Sequence, residues 1–278
     1  MNIPTLYAQL DRLPSSPHHP LGLPLPLADY LTSMQRIWKP PHLPLPWIEY
    51  RLLAALALSG WSMRFALVDA EADRRDRSPL GGTYLRACAH LDNAALWETA
   101  RVRVGNAIAL VRLTPLGRSL LTEIGLTPVE SEWERIERLH RGDTSRQLRH
   151  TAAICAFAYH ARKRGYDTHV CPEVDGAAEP DILLTNGKET ICVEVQRQGG
   201  ERWRRAAKWR NLLRLQAEVI LCTATPQQAI RYAAEAQSIG ADRGRVTDLA
   251  TLLQDDPDSL FTHQWTSKYM EPEVVATV

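Results

Sequence analysis

The residues best suited to chemistry lie in one stretch, Pro180-Asp-Ile-Leu-Leu-Thr-Asn-Gly-Lys-Glu-Thr-Ile-Cys-Val-Glu-Val-Gln196. Two apolar runs flank Asn186-Gly187, a pair that tolerates the positive φ angles of a tight hairpin turn. With those two residues as the turn, Thr185 pairs with Lys188 and Asp181 lies opposite Cys192. Strand alternation then puts Asp181, Glu194 and Gln196 on one face and turns Ile191, Val193 and Val195 toward a core. Asp181 and Glu194 become diagonal neighbours, with backbones about 7–8 Å apart. Two carboxylates so placed repel each other unless a cation joins them. Magnesium takes one or two carboxylates together with water and phosphate oxygens. A metal there lowers the pKa of a bound water and neutralises charge on a phosphodiester. These residue types at this spacing therefore point to metal-assisted phosphodiester hydrolysis.

The segment that follows is strongly basic. Arg197, Arg202, Arg204, Arg205, Lys208, Arg210 and Arg214 stand against a single acid, Glu201. Read as a helix, it buries Leu212, Leu213 and Leu215 on one side and turns its arginines outward. Arg202, Arg204, Arg205 and Arg210 become candidate contacts to backbone phosphates. Trp203 and Trp209 either stack on a base or pack in the core. The net charge of the whole chain is only +1, so any affinity for nucleic acid must be local.

The elements that must position these groups are read from periodicity and turn signals. Residues 1–46 hold ten of the eighteen prolines and read as an extended arm, with one short helix at Leu27 to Trp38. From Trp47, the residues Ile48, Leu52, Leu53, Leu56 and Leu58 mark a helix ended by Gly60. Met63 to Ala70 reads as a second helix, followed by a charged turn over residues 71–77. Thr83 to Asp92 reads as a third helix, with Leu85, Cys88 and Leu91 on one buried side. Trp97 to Val104 and Ala107 to Thr114 read as strands joined at Gly105-Asn106, and Pro115 opens a closing helix. Val129, Trp133, Ile136 and Leu139 mark a linker helix ended at Gly142-Asp143. Beyond it come a helix over Thr151 to Arg164, strands at Asp167 to Pro172 and Val219 to Thr223, and helices over Pro226 to Ser238 and Val246 to Leu253. The implied layout is an arm (1–46), a first domain (47–126), a linker (127–143), a second domain (144–255) and a C-terminal tail (256–278). The class is α/β, α+β overall.

At 278 residues, with 45% hydrophobic and 23% charged residues, the chain has the composition of a globular protein of two domains. Cys88, Cys155, Cys171, Cys192 and Cys222 form no CxxC pair and read as buried thiols, neither a disulfide framework nor a zinc site. No apolar stretch is long enough for a bilayer and no signal peptide opens the chain, which points to a cytoplasmic protein with no membrane partner.

Pro180-Asp181 followed by Glu194-Val-Gln196 resembles the PD-(D/E)xK nuclease motif, with glutamine in the place of lysine. The resemblance implies a restriction-endonuclease-like α/β core. It makes Asp181 and Glu194 ligands of Mg2+ or Mn2+, with the Val195 carbonyl as a third, and gives Gln196 the water-orienting position. Gln196 carries no charge, so Lys208 on the next helix becomes the candidate to supply it. Many such nucleases also carry a glutamate on the first core helix. Residues 151–164 contain no acid, and Glu173 is the nearest substitute. The three helices, hairpin and closing helix with Leu113-Thr-Pro-Leu-Gly-Arg118 resemble a winged helix-turn-helix, which implies double-stranded DNA as partner. Arg86 on its third helix and Arg101 and Arg103 on its hairpin are the DNA contacts so implied. Together with Leu148-Arg-His-Thr151, the layout resembles the bacterial replication-relaxation family of mobile-element proteins, with His150 as the matching histidine. Three functions stay open: a metal-dependent DNA endonuclease, a non-catalytic replication, mobilisation or regulatory factor, and a scaffold for protein partners or a homodimer.

Overall fold

The computed structural model describes residues 43, 45–73, 78–140, 144–174, 178–197, 201–266 and 269–271, with backbone only at 144, 145 and 269–271. The helix expected at Leu27 to Trp38 and the break at Gly142-Asp143 lie outside these residues, as does most of the proline-rich arm. The chain divides into two compact units, residues 1–100 with 110–134, and residues 101–109 with 135–278.

The first unit is built around α1 (Trp47–Ser59), which is buried on nearly all sides and ends at Gly60, whose φ of 67° forms a left-handed cap. Helices α2 (Arg64–Asp73) and α3 (Gly82–Asn93) follow. Glu71, read as part of a charged turn, is instead in α2, buried and ion-paired to Arg51 at 2.7 Å. The buried side of α3 is Tyr84, Ala87, Cys88 and Leu91, whereas Leu85 is 60% exposed. Cys88 and Leu91 are thus buried as expected, and Tyr84 fills the core in place of Leu85. Strands β1 (Trp97–Val104) and β2 (Asn106–Leu113) form a two-stranded sheet that turns at Gly105, with φ 73°.

Thr114 caps α4 (Pro115–Glu123): its hydroxyl accepts from the Gly117 N–H and donates to the Ala95 carbonyl. A Cβ on Gly117 would stand 2.0 Å from the Leu96 carbonyl oxygen, so only glycine allows this close approach. Arg118 pairs with Glu134. Local packing thus accounts for every polar or small residue of the Leu113–Arg118 signature. Helix α5 (Glu132–Leu139) begins against this unit, where Glu132 and the Trp133 N–H engage Ser62.

The second unit carries a seven-stranded mixed sheet in chain order, β3 (Asp167–Val170), β4 (Ile182–Thr185), β5 (Thr190–Gln196), β6 (Val219–Thr223), β7 (Arg243–Asp248), β8 (His263–Thr266) and β9 (Tyr269–Glu271). β3, β4 and β5 are antiparallel, β5, β6 and β7 parallel, and β7, β8 and β9 antiparallel. Helix α6 (Thr144–Lys163) packs on β3, β4 and β5, while α7 (Arg202–Gln216) packs on β5 and β6. Helix α8 (Pro226–Ser238) lies on β6 and β7, and α9 (Leu249–Asp255) packs on α6.

Three sequence expectations are corrected here. The β4–β5 hairpin turns over four residues, not two. Asn186 Oδ1 accepts from the Lys188 and Glu189 N–H groups, Thr185 pairs with Thr190, and Leu183, not Asp181, lies opposite Cys192. A shift of two residues preserves every face, because side chains alternate with period two. Residues 243–248 are a strand rather than part of a helix over Val246 to Leu253. Pairing with β6 and β8 holds this polar segment extended, and Asp248 caps α9 by accepting from the Thr251 N–H. The segment read as a tail supplies β8, where the buried Trp265 lies over Gly244 and donates to the Ala241 carbonyl. All five cysteines are buried thiols outside any disulfide, and among the described residues no helix is long and apolar enough to cross a membrane.

Candidate functional site

Asp181 stands immediately before β4 and Glu194 near the carboxyl end of β5, the end of a parallel sheet at which α/β folds commonly place ligands. Ile182 pairs with Val193, so continuing the ladder by one residue brings Asp181 alongside Glu194. The two are closer than the diagonal placement inferred from a two-residue turn. Both are buried, at 0% and 3% exposure. They converge on one cation, Lys208 of α7, whose Nζ lies 2.6 Å from Glu194 Oε2 and 3.8 Å from Asp181 Oδ1. The Val195 N–H donates to Asp181 Oδ2 at 2.7 Å. What the structure brings to Asp181 from Val195 is therefore the amide N–H, while Gln196 lies two residues beyond Glu194 on the same strand and is half-buried.

The electrostatics follow from this burial. Desolvation alone would raise the Asp181 carboxyl, but Lys208 and His150 outweigh it and hold Asp181 well below the usual carboxylate range. Burial and the Asp181 charge raise Glu194 to about 7, against the opposing pull of Lys208. Lys208 is itself held above the usual lysine range, its own desolvation overcome by Glu194 and Asp181. Near neutral pH the site thus pairs a fixed anion and a fixed cation with one carboxyl able to gain or lose a proton.

Two histidines complete the surroundings. His150, just before the helix expected over Thr151 to Arg164, lies six residues inside α6 and places Nε2 3.3 Å from Asp181 Oδ1. The Asp181 charge raises the His150 pKa despite burial, whereas burial lowers that of His140. His140 follows the last turn of α5, edge-on to His150, with Nε2 3.3 Å from Cys171 Sγ. Cys171 has a φ of 47°, and its N–H donates to the Asp181 carbonyl. No motif or spacing in the sequence marks His140 or Cys171, since both arrive through packing. Glu173 is exposed.

The basic helix divides in two. Arg205, expected to face phosphates, is buried and forms a bidentate pair with Glu235, and Trp209 is core at 0% exposure. Leu212 is buried with them, whereas Leu215 is 40% exposed. The helix is thus rotated so that Arg205, Trp209 and Leu212 face inward. Arg202, Arg204 and Arg210 remain exposed. Arg202 reaches Ser238, and Arg204 lies beside Glu201 and the exposed Trp203. Arg197 adds to this charge: burial, then Arg149 and Arg146 of α6, lower its pKa, which places three like charges near one another. Arg86 is exposed on α3 of the first unit, and Arg101 and Arg103, which fall in the second unit, are exposed on β1.

Comparison of the chain with protein-family models, with curated proteins and with solved structures gives no match. The geometry therefore carries the functional argument by itself.

Proposed function

We propose that the chain is a DNA-binding protein whose second unit is a metal-dependent endonuclease of the PD-(D/E)xK type. The observation that carries this reading is the convergence of Asp181 and Glu194, from adjoining strands, on the ammonium of Lys208. Gln196 leaves the motif's lysine place without charge, and Lys208 supplies that charge from the following helix. The order helix, three-stranded antiparallel meander, helix and parallel strand over residues 144–223 also supports a nuclease-like core.

Two buried carboxylates that already share a cation fit a hard dication. Asp181 and Glu194, with the Val195 carbonyl, would hold Mg2+ or Mn2+. When bound, that ion supplies an acidified water and neutralises phosphodiester charge. Lys208 would set positive charge beside a phosphodiester whose phosphoryl oxygens and leaving alkoxide gain negative charge in the transition state. Glu194, raised to about 7, can exchange a proton near neutral pH. Arg202, Arg204 and Arg210 engage the backbone without reading sequence. Arg86, exposed on α3, and Arg101 and Arg103, exposed on the β1–β2 hairpin, support a winged-helix reading with duplex DNA as partner.

Plasmid nicking in magnesium or manganese tests this. Wild-type protein is expected to cleave, and Asp181→Asn and Lys208→Met to lose cleavage while still retarding DNA. One observation favours a second reading, a non-catalytic DNA-binding accessory factor. At 2.6 Å from Glu194, Lys208 offsets the charge of one member of the acidic pair without any metal, as in a purely structural triad. DNA binding with no cleavage under either metal would select that reading.

A further inference from the structure

Beyond Glu194 and Lys208, Asp181 also faces two imidazoles. One ligand atom from each of His140, His150 and Asp181 lies within 4.8 Å of the other two. The three come from separate elements, the end of α5, the body of α6 and the entry to β4. His140 and Asp181 are each held by a further partner. The Gln147 side-chain amide donates to the carbonyls of Ile136, Glu137 and His140, capping the C-terminal turn of α5 and fixing the backbone that carries His140. The Val195 N–H occupies Asp181 Oδ2, while Oδ1 is the oxygen that faces His150. Outer hydrogen bonds of this kind orient the ligands of metal centres.

Around a tetrahedral ion with bonds of about 2.0–2.1 Å, neighbouring donors are separated by roughly 3.4 Å. The 3.3 Å between His150 Nε2 and Asp181 Oδ1 already matches one such edge. Magnesium favours oxygen ligands and keeps much of its water, whereas imidazole nitrogen suits zinc and its transition-metal neighbours. We propose that His140, His150 and Asp181 form a binding site for a borderline transition-metal dication, of which zinc and cobalt are the probes, and not for magnesium. The site shares Asp181 with the nuclease reading but does not depend on cleavage.

The test uses the full chain, stripped with chelator and titrated with Zn2+, Co2+ or Mg2+ in the absence of DNA. Calorimetry is expected to show one equivalent of zinc or cobalt per chain and no comparable uptake of magnesium. Cobalt should give the intense visible bands of a four-coordinate site. His140→Gln and His150→Gln should each weaken zinc binding by about 10-fold or more. His90→Gln, at a half-exposed histidine in the first unit, should leave it unchanged. Zinc held no more tightly than magnesium, or affinity that ignores both substitutions, overturns the proposal. Should the variants unfold, as judged by circular dichroism, a wild-type cobalt spectrum of the six-coordinate aquo type overturns it equally. Magnesium-supported cleavage without zinc binding would sink this inference and leave the nuclease reading standing; zinc binding without cleavage would do the reverse.

Discussion

Glu194 offers a quantitative test of the buried site, because its carboxyl is raised from 4.5 to about 7 by burial and by Asp181, against the pull of Lys208. A folded pKa above the unfolded value means that the folded state binds the proton more tightly. The resulting stability is complete below pH 4.5 and is lost as pH rises through 7. At about 1.36 kcal/mol per pKa unit, the loss amounts to about 3 kcal/mol by pH 8. Glu194→Gln keeps the shape and removes the titration. The variant is therefore expected to exceed wild type by about 3 kcal/mol at pH 8 and to be nearly equal to it at pH 4.5. About 1 kcal/mol moves the melting temperature of a chain of this size by roughly 2–4 °C, so the gap at pH 8 should be roughly 6–12 °C. Thermal denaturation followed by circular dichroism at the two pH values reads it directly. A difference of the same size at both pH values, or a deficit that grows with pH, would refute the electrostatic account. Under the nuclease reading the same substitution should abolish cleavage, so that stability and activity would move in opposite directions.

Arg205→Met should cost about 3–5 kcal/mol by stranding Glu235 without its partner, with DNA affinity of the folded protein unchanged. Arg210→Ala should reverse that pattern in melting and gel-retardation assays, keeping stability and losing affinity. Gly117→Ala drives a methyl group against the Leu96 carbonyl and should destabilise by about 1–3 kcal/mol, read as a lower melting transition of the first unit. Burial lowers His160 to about 4, against Asp256, so its contribution is present above pH 6.5 and is lost as pH falls toward 4. His160→Gln should flatten the stability profile over that range by about 3 kcal/mol in denaturant titrations.

Local signals in the sequence marked many elements of the fold. The Pro226–Ser238 helix and the β1 and β6 strands lie where proline position and apolar runs put them. The shared face of Asp181 and Glu194 was legible despite the wrong turn length, because an even slip leaves alternation intact. Strand β7 was not legible, since Arg-Gly-Arg-Val-Thr-Asp has no strand pattern and becomes extended only between two partners. Nor was the rotation of α7, where arginines occupy both faces and periodicity cannot tell Arg205 from Arg204. The Glu235 carboxylate on another helix decides which of them is buried.

By itself the sequence determined the carboxylate pair, the basic helix beside it and the helix opened by Pro115, since alternation, charge density and the fixed φ of proline depend on near neighbours along the chain. Only the tertiary structure decided that Lys208 joins those carboxylates, that His140 and His150 meet at Asp181, and that Arg205 turns inward. Those contacts link separate helices and strands, and packing of the apolar core, not the spacing of residues, sets which side chains face one another.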